Sequence, residues 1–233
     1  MNNYKENSLA DVSLIIATYN EEESLSFVLQ EIENYGFGEI IIIDANSEDR
    51  TKEIANQFNT TFITETEKGW GNAVLKAINY SSKKYITYID ADGSYNPIAI
   101  KEMRKLIEEY DAVFCSRYKN GAKSPDDTVI RAFGNKLFTL LVRIIFKCKI
   151  TDALFFYPMF NREILQDINL KSPDFTLCLE LPAVVHEKKF RYIEILSEER
   201  KRYAGVSKVN ALTDGVKILI GIFKLRFSKW NYI

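Results

Sequence analysis

Two continuous runs of apolar, mostly β-branched residues constrain the fold more than any other feature of this sequence. They cover residues 12–17 and 39–44, and such runs are typical of strands buried on both faces of a parallel sheet. Residues 21–34, with apolar side chains at helical spacing, separate them. The alternation continues with helices predicted over 47–58, 72–80 and 97–109 and strands over 61–64, 85–90 and 112–116. Five alternations predict a doubly wound α/β sheet.

The strict alternation ends after residue 116. The pattern there predicts an apolar helix over 131–147, a helix around 177–186, a further sheet strand over 190–196 and an amphipathic C-terminal helix over about 209–227. No linker is long or flexible enough to separate two independent domains. We therefore expect a single α/β domain over residues 1–233.

Composition limits the chemistry that the chain can use. With 233 residues, 46% of them hydrophobic, the chain can bury a core without disulfides or structural metals. Its three cysteines are far apart, and the single histidine, His186, excludes metal sites built from several imidazoles. Any catalysis must therefore rest on carboxylates, basic side chains and the backbone.

Charge is distributed unevenly along the chain. The net charge is −1, yet residues 186–233 carry 11 basic and 5 acidic side chains. A basic segment in a chain that is not basic overall fits a phosphate or a lipid surface better than a nucleic acid. The apolar stretch 216–227 is interrupted by three basic residues and spans only about 18 Å as a helix, too short to cross about 30 Å of hydrocarbon. The polar first nine residues lack a signal peptide pattern, so we expect a cytoplasmic location.

Polar residues follow three of the predicted strands. In a doubly wound sheet, ligands bind beyond the carboxyl ends of the strands, which here are residues 18–21, Asp44 and the segment Asp90-Ala91-Asp92. Two carboxylates at such a place suit Mg²⁺ or Mn²⁺ when substrate phosphates and water supply the other ligands. The alternative is an ordinary turn, because Asp92-Gly93 is also a favourable turn sequence.

A glycine-containing turn, residues 68–73, leads into a predicted helix and could contact a phosphate or a ribose through Lys68, Gly69 and Asn72. The segment lacks the third glycine of a dinucleotide fingerprint, and the sequence contains no P-loop. These absences disfavour a dinucleotide-dependent dehydrogenase.

Taken together, these segments resemble the inverting family-2 glycosyltransferases of GT-A fold, in the branch of dolichyl-phosphate mannosyltransferase and related polyprenyl-phosphate sugar transferases. The resemblance runs through nearly the whole chain. Eight segments carry it in register: residues 17–21, 43–51, 68–73, 90–93, 116–118, 131–135, 151–152 and 202–208.

The resemblance implies roles for particular residues. It places the nucleotide-binding part at about 11–118 and the acceptor-binding part at about 119–233. Asp90 and Asp92 would hold Mg²⁺ or Mn²⁺, and Asp92 would be part of the catalytic centre. The nucleotide-sugar donor would be bound by Thr18, Tyr19, Glu21 and Asp44. Positive charge for the donor diphosphate and the acceptor phosphate would come from Arg117, Arg131, Arg202 and Lys208.

The implied acceptor is polyprenyl or dolichyl phosphate, at the cytoplasmic face of a membrane. A lipid phosphate is already an anion at neutral pH and needs no general base, which fits the near-absence of histidine. The helices at 136–147 and 216–227 combine Leu, Ile and Phe with Lys and Arg, as do segments that lie in a bilayer interface. They could equally pack on the sheet or in a homo-oligomer, and a membrane subunit could recruit the chain.

Two alternatives remain open at this level. The acceptor could be soluble, such as a phosphoglycerate or a sugar, with a carboxylate such as Glu180 as base. The chain could also be a catalytically silent subunit of the same fold, because residues 155–158 and Ala45 depart from the family pattern. The intact Asp90 and Asp92 speak against that second alternative.

Overall fold

The computed structural model describes residues 9–122, 124, 128–205 and 211–227. The strands are β1 Val12–Thr18, β2 Glu39–Asp44, β3 Thr61–Thr64, β4 Tyr85–Asp90, β5 Ala112–Ser116, β6 Pro158–Asn161 and β7 Tyr192–Leu196. The α-helices are α1 Leu25–Ile32, α2 Thr51–Ala55, α3 Trp70–Tyr80, α4 Ile98–Leu106, α5 Val129–Phe146, α6 Leu177–Glu187 and α7 Ala211–Phe227. Short 3₁₀ turns occupy Glu33–Tyr35, Lys119–Gly121 and Arg162–Gln166.

The strands form one seven-stranded sheet in the order β3-β2-β1-β4-β6-β5-β7. Strand β6 is antiparallel to both of its neighbours, and the other pairs are parallel. The order reverses beside β1, as expected for a doubly wound sheet, whose ligand crevice lies at that point. The doubly wound α/β fold predicted from the sequence is therefore confirmed, and the sheet is mixed.

Strand β6 is the element that the sequence pattern did not predict. Its four residues begin at Pro158, directly after the aromatic segment 155–157, and Met159 pairs with Thr87 of β4 and Val113 of β5. These partners are distant in sequence, and four residues are too few for a clear alternation. The segment 155–158, which departs from the family pattern, is therefore buried where the chain enters β6.

Two predicted helices begin four residues later than their patterns. Helix α1 begins at residue 25 rather than 21, and α2 covers only residues 51–55 of the predicted 47–58. The residues lost from the beginnings of the two helices lie in the loops that follow β1 and β2, and these loops are hydrogen-bonded to each other. Side chains of Ser, Thr, Asn and Asp offer the backbone these alternatives to a helix.

The core divides into two clusters. The larger lies on both faces of the sheet, where β1 and β2 contribute an unbroken series of buried aliphatic side chains. The smaller lies beneath α5, α6 and α7 and includes Val142, Leu179 and Ile222. All three cysteines are buried and free. None of the helices in the described ranges is long and apolar enough to cross a bilayer.

Candidate functional site

The polar ends of three strands meet at one edge of the sheet, as the sequence predicts. Strands β2, β1 and β4 are adjacent and parallel, with Thr18 in register with Asp44 and Ala17 in register with Asp90. Because all three strands end here, the segments that follow them share one crevice.

Asp44 is a buried carboxylate with a complete set of neutral donors. Its Oδ1 accepts hydrogen bonds from Thr18 Oγ1 at 2.8 Å and from Ser47 Oγ at 2.5 Å, and its Oδ2 accepts one from Ser47 N at 2.8 Å. These bonds hold the turn after β2, in which Asn46 has a φ of 62°. In this structure Thr18 and Asp44 therefore shape the loop, and their contact with a nucleotide remains a prediction.

The loops after β1 and β2 form one hydrogen-bonded unit. Ser47 Oγ accepts from Asn20 N at 2.8 Å, and Thr51 Oγ1 accepts from Glu21 N at 2.8 Å. The Glu21 carboxylate accepts from Ser24 Oγ at 2.8 Å. Tyr19, at the start of this unit, is 48% exposed.

A cavity of about 430 Å³, which we call the acidic cavity, lies over these loops. Its lining is Asn20, Glu21, Glu22, Glu23, Ser24, Glu48, Asp49, Ala204 and Gly205. Of the residues predicted to bind a nucleotide, Glu21 lies in this lining. Ala204 and Gly205 contribute to the lining from the C-terminal part of the chain.

Asp90 is half-buried at the end of β4 and accepts a hydrogen bond from the Tyr88 hydroxyl through Oδ1. Burial and the negative charge of Asp92 raise the pKa of Asp90 to about 7, with a further contribution from Glu21. The Tyr88 hydrogen bond and the charge of Arg202 act in the opposite direction. A carboxyl with so perturbed a pKa in a cleft is typical of a functional site.

Asp92 is buried in the turn that follows. Its Oδ1 accepts from Ser94 N at 2.9 Å, and its Oδ2 forms an ion pair with Arg202. The backbone also joins the two segments, because Tyr203 N donates to the Asp92 carbonyl oxygen at 2.8 Å. Asp92 and Arg202, which the sequence separates by more than a hundred residues, are thus in direct contact.

The two carboxylates fit a divalent cation that shares its ligands with a substrate. Within the described residues, no group of three or more His, Cys, Asp or Glu could hold a metal ion by itself. Mg²⁺ and Mn²⁺ need only one or two carboxylates when phosphate and water oxygens complete the shell. Asp90 lines a cavity, and no hydrogen bond from a described residue reaches its Oδ2. Asp90 could therefore hold such an ion together with a diphosphate. Asp92 could join it only through an oxygen that Ser94 N or Arg202 also contacts.

A second cavity, of about 180 Å³, lies beside Asp90 and is called the arginine cavity here. Arg117, Arg131 and Arg202 all lie in its lining. Most of the remaining wall is apolar and comes from Trp70, Tyr95, Leu154, Phe155, Phe156, Phe175 and Ile218. Asp90 and the three arginines, all predicted as site residues, are thus brought together over an apolar wall.

The three arginines are held in different ways. Arg117 is buried, and its Nε and Nη2 donate to Asp152 at 2.7 and 3.0 Å, with Glu199 3.5 Å from Nη1. Its guanidinium also stacks over Phe155 at 4.9 Å. Arg131 lies in the first turn of α5, which begins where Thr128 Oγ1 accepts from Arg131 N. Because Asp152 fixes Arg117, any phosphate in the cavity would meet a rigid cation there.

Other predicted residues lie elsewhere. Within the part of the chain that the structure describes, the arginine cavity is not lined by Lys68, Gly69 or Asn72. A Cβ atom at Gly69 would lie 2.2 Å from the Pro173 carbonyl oxygen, so the glycine turn packs tightly against a loop. Contact of this turn with a ligand remains a prediction. Lys208 lies outside the described residues.

Glu180 and His186 make contacts that stabilise the fold. Glu180 is fully buried, and its carboxylate accepts from Lys171 N at 3.1 Å and Ser172 N at 2.8 Å, which holds the loop that packs on the glycine turn. His186 Nδ1 lies 3.1 Å from the Tyr192 hydroxyl in a groove at the ends of α5, α6 and α7. Neither residue lies in the described lining of the arginine cavity.

Sequence reasoning missed the hydrogen bond from Tyr88 to Asp90. A signal was available, because residues two apart in a strand point to the same face. Trp70, which lies in the glycine turn, donates from Nε1 to the Tyr88 hydroxyl at 3.0 Å. No local signal joins Trp70 to β4, because the contact depends on how α3 packs on the sheet.

Comparisons with known proteins agree with this geometry. Residues 13–168 match the family described as Glycosyl transferase family 2. The chain is 28% identical over 172 residues to glycosyltransferase AglJ of Haloferax volcanii, covering 73% of this chain and 56% of that protein. It is 27% identical over 218 residues to a dolichyl-phosphate hexose transferase of the same organism, covering 92% and 93%. The chain thus matches little more than half the length of the first relative.

Solved structures of glucosyl-3-phosphoglycerate synthase from Mycobacterium tuberculosis share the fold. The complex with phosphoglyceric acid superposes with a TM-score of 0.74 at 15% identity, covering 92% of this chain and 79% of that one. The complex with Mn²⁺, uridine diphosphate and phosphoglyceric acid gives 0.72 at 16% identity, covering 93% and 78%. The resemblance seen in the sequence is confirmed over most of its length, and the chain belongs to glycosyl transferase family 2.

Proposed function

We propose that this protein transfers a sugar from a nucleotide diphosphate sugar to a lipid phosphate of the polyprenyl or dolichyl type. The reaction would use Mg²⁺ or Mn²⁺ and would take place at the cytoplasmic face of a membrane. One observation carries the proposal: Asp90 and three arginines line a single cavity whose remaining wall is mostly apolar. An anionic head on an apolar chain is the ligand that such a cavity fits.

The chemistry requires charge stabilisation at two places. An oxygen of the acceptor phosphate attacks the anomeric carbon, and the bond from that carbon to the donor diphosphate breaks, so that the configuration inverts. Negative charge develops on the leaving diphosphate, where the charge of Arg202 beside Asp92 would stabilise it. Arg117 and Arg131 would orient the acceptor phosphate, which needs no deprotonation.

Asp90 and Asp92 would hold the divalent cation, which when bound would neutralise part of the diphosphate charge. Solved proteins of this fold give support, since one contains Mn²⁺ together with uridine diphosphate. The acidic cavity, with Glu21 in its lining, adjoins this edge and would receive the nucleoside.

Two neighbouring helices support contact with a membrane. Helices α5 and α7 pack against each other, and each carries a row of exposed large apolar side chains. We call the two rows the apolar stripe: Val129, Ile130, Phe133, Leu137, Leu140 and Ile144 on α5, and Val216, Leu219, Ile220, Phe223 and Phe227 on α7. Exposed Lys136, Arg143, Lys217, Lys224 and Arg226 accompany it. Apolar side chains flanked by basic ones favour the interface of an anionic bilayer.

The transfer reaction can be tested directly. Purified protein is incubated with labelled GDP-mannose, UDP-glucose or UDP-N-acetylglucosamine, with Mn²⁺ or EDTA, and with either a polyprenyl phosphate or 3-phosphoglycerate. We expect label to pass into the organic phase from one donor in the presence of polyprenyl phosphate and Mn²⁺. Label transferred only to the soluble acceptor would contradict the lipid assignment, and no transfer from any donor would favour a silent subunit.

Membrane contact can be tested with a matched pair of variants. Ile144 in the apolar stripe is 64% exposed, and Ile98 on α4 is 67% exposed, so both tolerate a glutamate without loss of core packing. In sedimentation with phosphatidylglycerol vesicles, Ile144→Glu should lower the partition coefficient at least about fivefold. Ile98→Glu should bind as the parent does. Equal loss in both variants, or no binding of the parent, would remove the membrane assignment.

A further inference from the structure

A chain of hydrogen bonds runs from α3 to the candidate metal site. Trp70 Nε1 lies 3.0 Å from the Tyr88 hydroxyl, and that hydroxyl contacts Asp90 Oδ1. Tyr88 lies within β4 and is 1% exposed, so water cannot replace either contact. The chain links an indole in the glycine turn to a carboxylate at the end of the neighbouring strand.

The direction of these bonds follows from the chemistry of the groups. An indole N–H can only donate, so the Tyr88 oxygen must accept from Trp70. The single proton of the Tyr88 hydroxyl then remains for Asp90, which accepts it through Oδ1. Because Trp70 donates to the Tyr88 oxygen, the Tyr88 hydroxyl has one favourable orientation, in which its proton points at the Asp90 carboxylate.

Aromatic packing keeps this hydroxyl in place. The Trp70 ring meets Tyr88 edge-on at 5.6 Å and stacks on Phe175 at 5.1 Å. Phe156 meets Tyr88 at 5.2 Å from another side. Rings packed on several sides lose the freedom to change rotamer, so the donor to Asp90 has a fixed position.

Asp90 is a carboxylate that needs such a donor. It lies near the like charges of Asp92 and Glu21 and is partly removed from water, and both effects disfavour a fixed negative charge. A buried hydroxyl that donates to one oxygen offsets part of this cost and stops rotation of the carboxylate. The other oxygen, Oδ2, is left for a ligand in the arginine cavity.

We propose that Tyr88 is a positioning residue, with its proton directed by Trp70, that holds the Asp90 carboxylate in the orientation needed to bind a divalent cation. The proposal rests on the proposed function, in which Asp90 and Asp92 hold that cation. Groups that orient metal ligands in this way change metal affinity by about 10-fold to 100-fold when they are removed.

The test is the affinity for Mn²⁺ in the presence of UDP or GDP, measured from the electron paramagnetic resonance signal of free Mn²⁺. Tyr88→Phe removes only the hydroxyl and keeps the ring packing, and it should raise the dissociation constant of Mn²⁺ about tenfold. Trp70→Phe removes the N–H donor and keeps an aromatic ring against Phe175. It should raise the dissociation constant of Mn²⁺ by a smaller factor than Tyr88→Phe does. The same Tyr88→Phe protein should show a raised KM for Mn²⁺ and a kcat close to the parent's at saturating Mn²⁺.

Tyr157→Phe is the matched control. Tyr157 is also fully buried in this aromatic region, but its hydroxyl donates to the Asn96 carbonyl oxygen at 2.9 Å. Its loss should cost similar thermal stability and leave the Mn²⁺ affinity unchanged. Equal Mn²⁺ affinities in Tyr88→Phe and the parent, or an equal loss in Tyr157→Phe, would overturn the positioning role alone. A parent protein that binds neither Mn²⁺ nor nucleotide would overturn the proposed function as well.

Discussion

Two regions at the same edge of the sheet hold aspartates in opposite ways. At the end of β2, Asp44 is surrounded by neutral donors from Thr18 and Ser47. At the end of β4, Asp90 and Asp92 lie near each other, beside Arg202 and an open cavity. A carboxylate that follows a buried strand therefore has no fixed role. The donors around it decide whether it builds a loop or meets a ligand.

The contrast has an energetic basis. A buried carboxylate with a full set of hydrogen bonds is stable without any ligand. A pair of carboxylates that repel each other is less stable alone and gains more when a cation binds. Substitutions in the two regions should therefore change different measured quantities, stability in the first and turnover in the second, unless an arginine is left buried without its partner.

The largest expected effect on stability is that of a buried arginine losing its carboxylate partner. Asp152 is fully buried and holds Arg117 through two side-chain hydrogen bonds. Asp152→Asn keeps the volume but removes the closer of the two carboxylates that pair with buried Arg117, the other being Glu199 at 3.5 Å from Nη1. Breaking a buried ion pair in this way costs about 3–5 kcal/mol. We expect urea denaturation to show a loss in this range in the free energy of unfolding.

Glu108→Gln is the control for that measurement. Glu108 pairs with Arg104 at 2.6 Å, but its side chain is 53% exposed. An exposed ion pair contributes at most about 1 kcal/mol, so the variant should be nearly as stable as the parent. Similar losses in both variants would mean that Arg117 is not dependent on Asp152.

Asp44→Asn should have an intermediate effect, on stability. The asparagine retains one acceptor oxygen, so at least one donor among Thr18 Oγ1, Ser47 N and Ser47 Oγ loses its partner. A buried donor without an acceptor costs about 1–3 kcal/mol. The urea midpoint should fall with an unchanged m-value. Unchanged stability with weaker binding of UDP or GDP would instead assign Asp44 to the nucleotide, as the family resemblance implies.

The first half of the fold could be predicted because its signals are local. Strands β2, β4 and β5 have the bounds that their apolar runs indicate, since a strand buried on both faces leaves a continuous pattern. The partly exposed edge strand β3 also has its predicted bounds. Strand β6 has no such pattern, and its position depends on pairing with β4 and β5 across long sequence separations. The helix bounds near residues 21 and 47 were wrong because side-chain hydrogen bonds between two loops replaced helical turns.

The candidate site could also be predicted only in part. The pattern of strand ends brings Asp44 and Asp90 to one edge, and the resemblance named the arginines that line the cavity. Neither showed that Arg117 pairs with Asp152, that Arg202 contacts Asp92, or that the glycine turn packs against Pro173. These contacts join loop segments distant in sequence, so no local pattern could indicate them.

The smallest of these effects in free energy is on turnover, and it tests the β4 region directly. Asp92→Ala removes one of two proposed cation ligands. It also removes the carboxylate that pairs with Arg202, but the Arg202 side chain is 28% exposed and so is partly solvated without that partner. Under the proposed function, turnover at saturating donor and Mn²⁺ should fall at least tenfold, or about 1.4 kcal/mol of transition-state stabilisation. Asp167→Ala, at an exposed carboxylate outside the site, should match the parent. Turnover of Asp92→Ala equal to that of the parent would place Asp92 in a structural role like that of Asp44. A ligand of the cation cannot be removed without reducing the stabilisation of the charge that develops on the diphosphate.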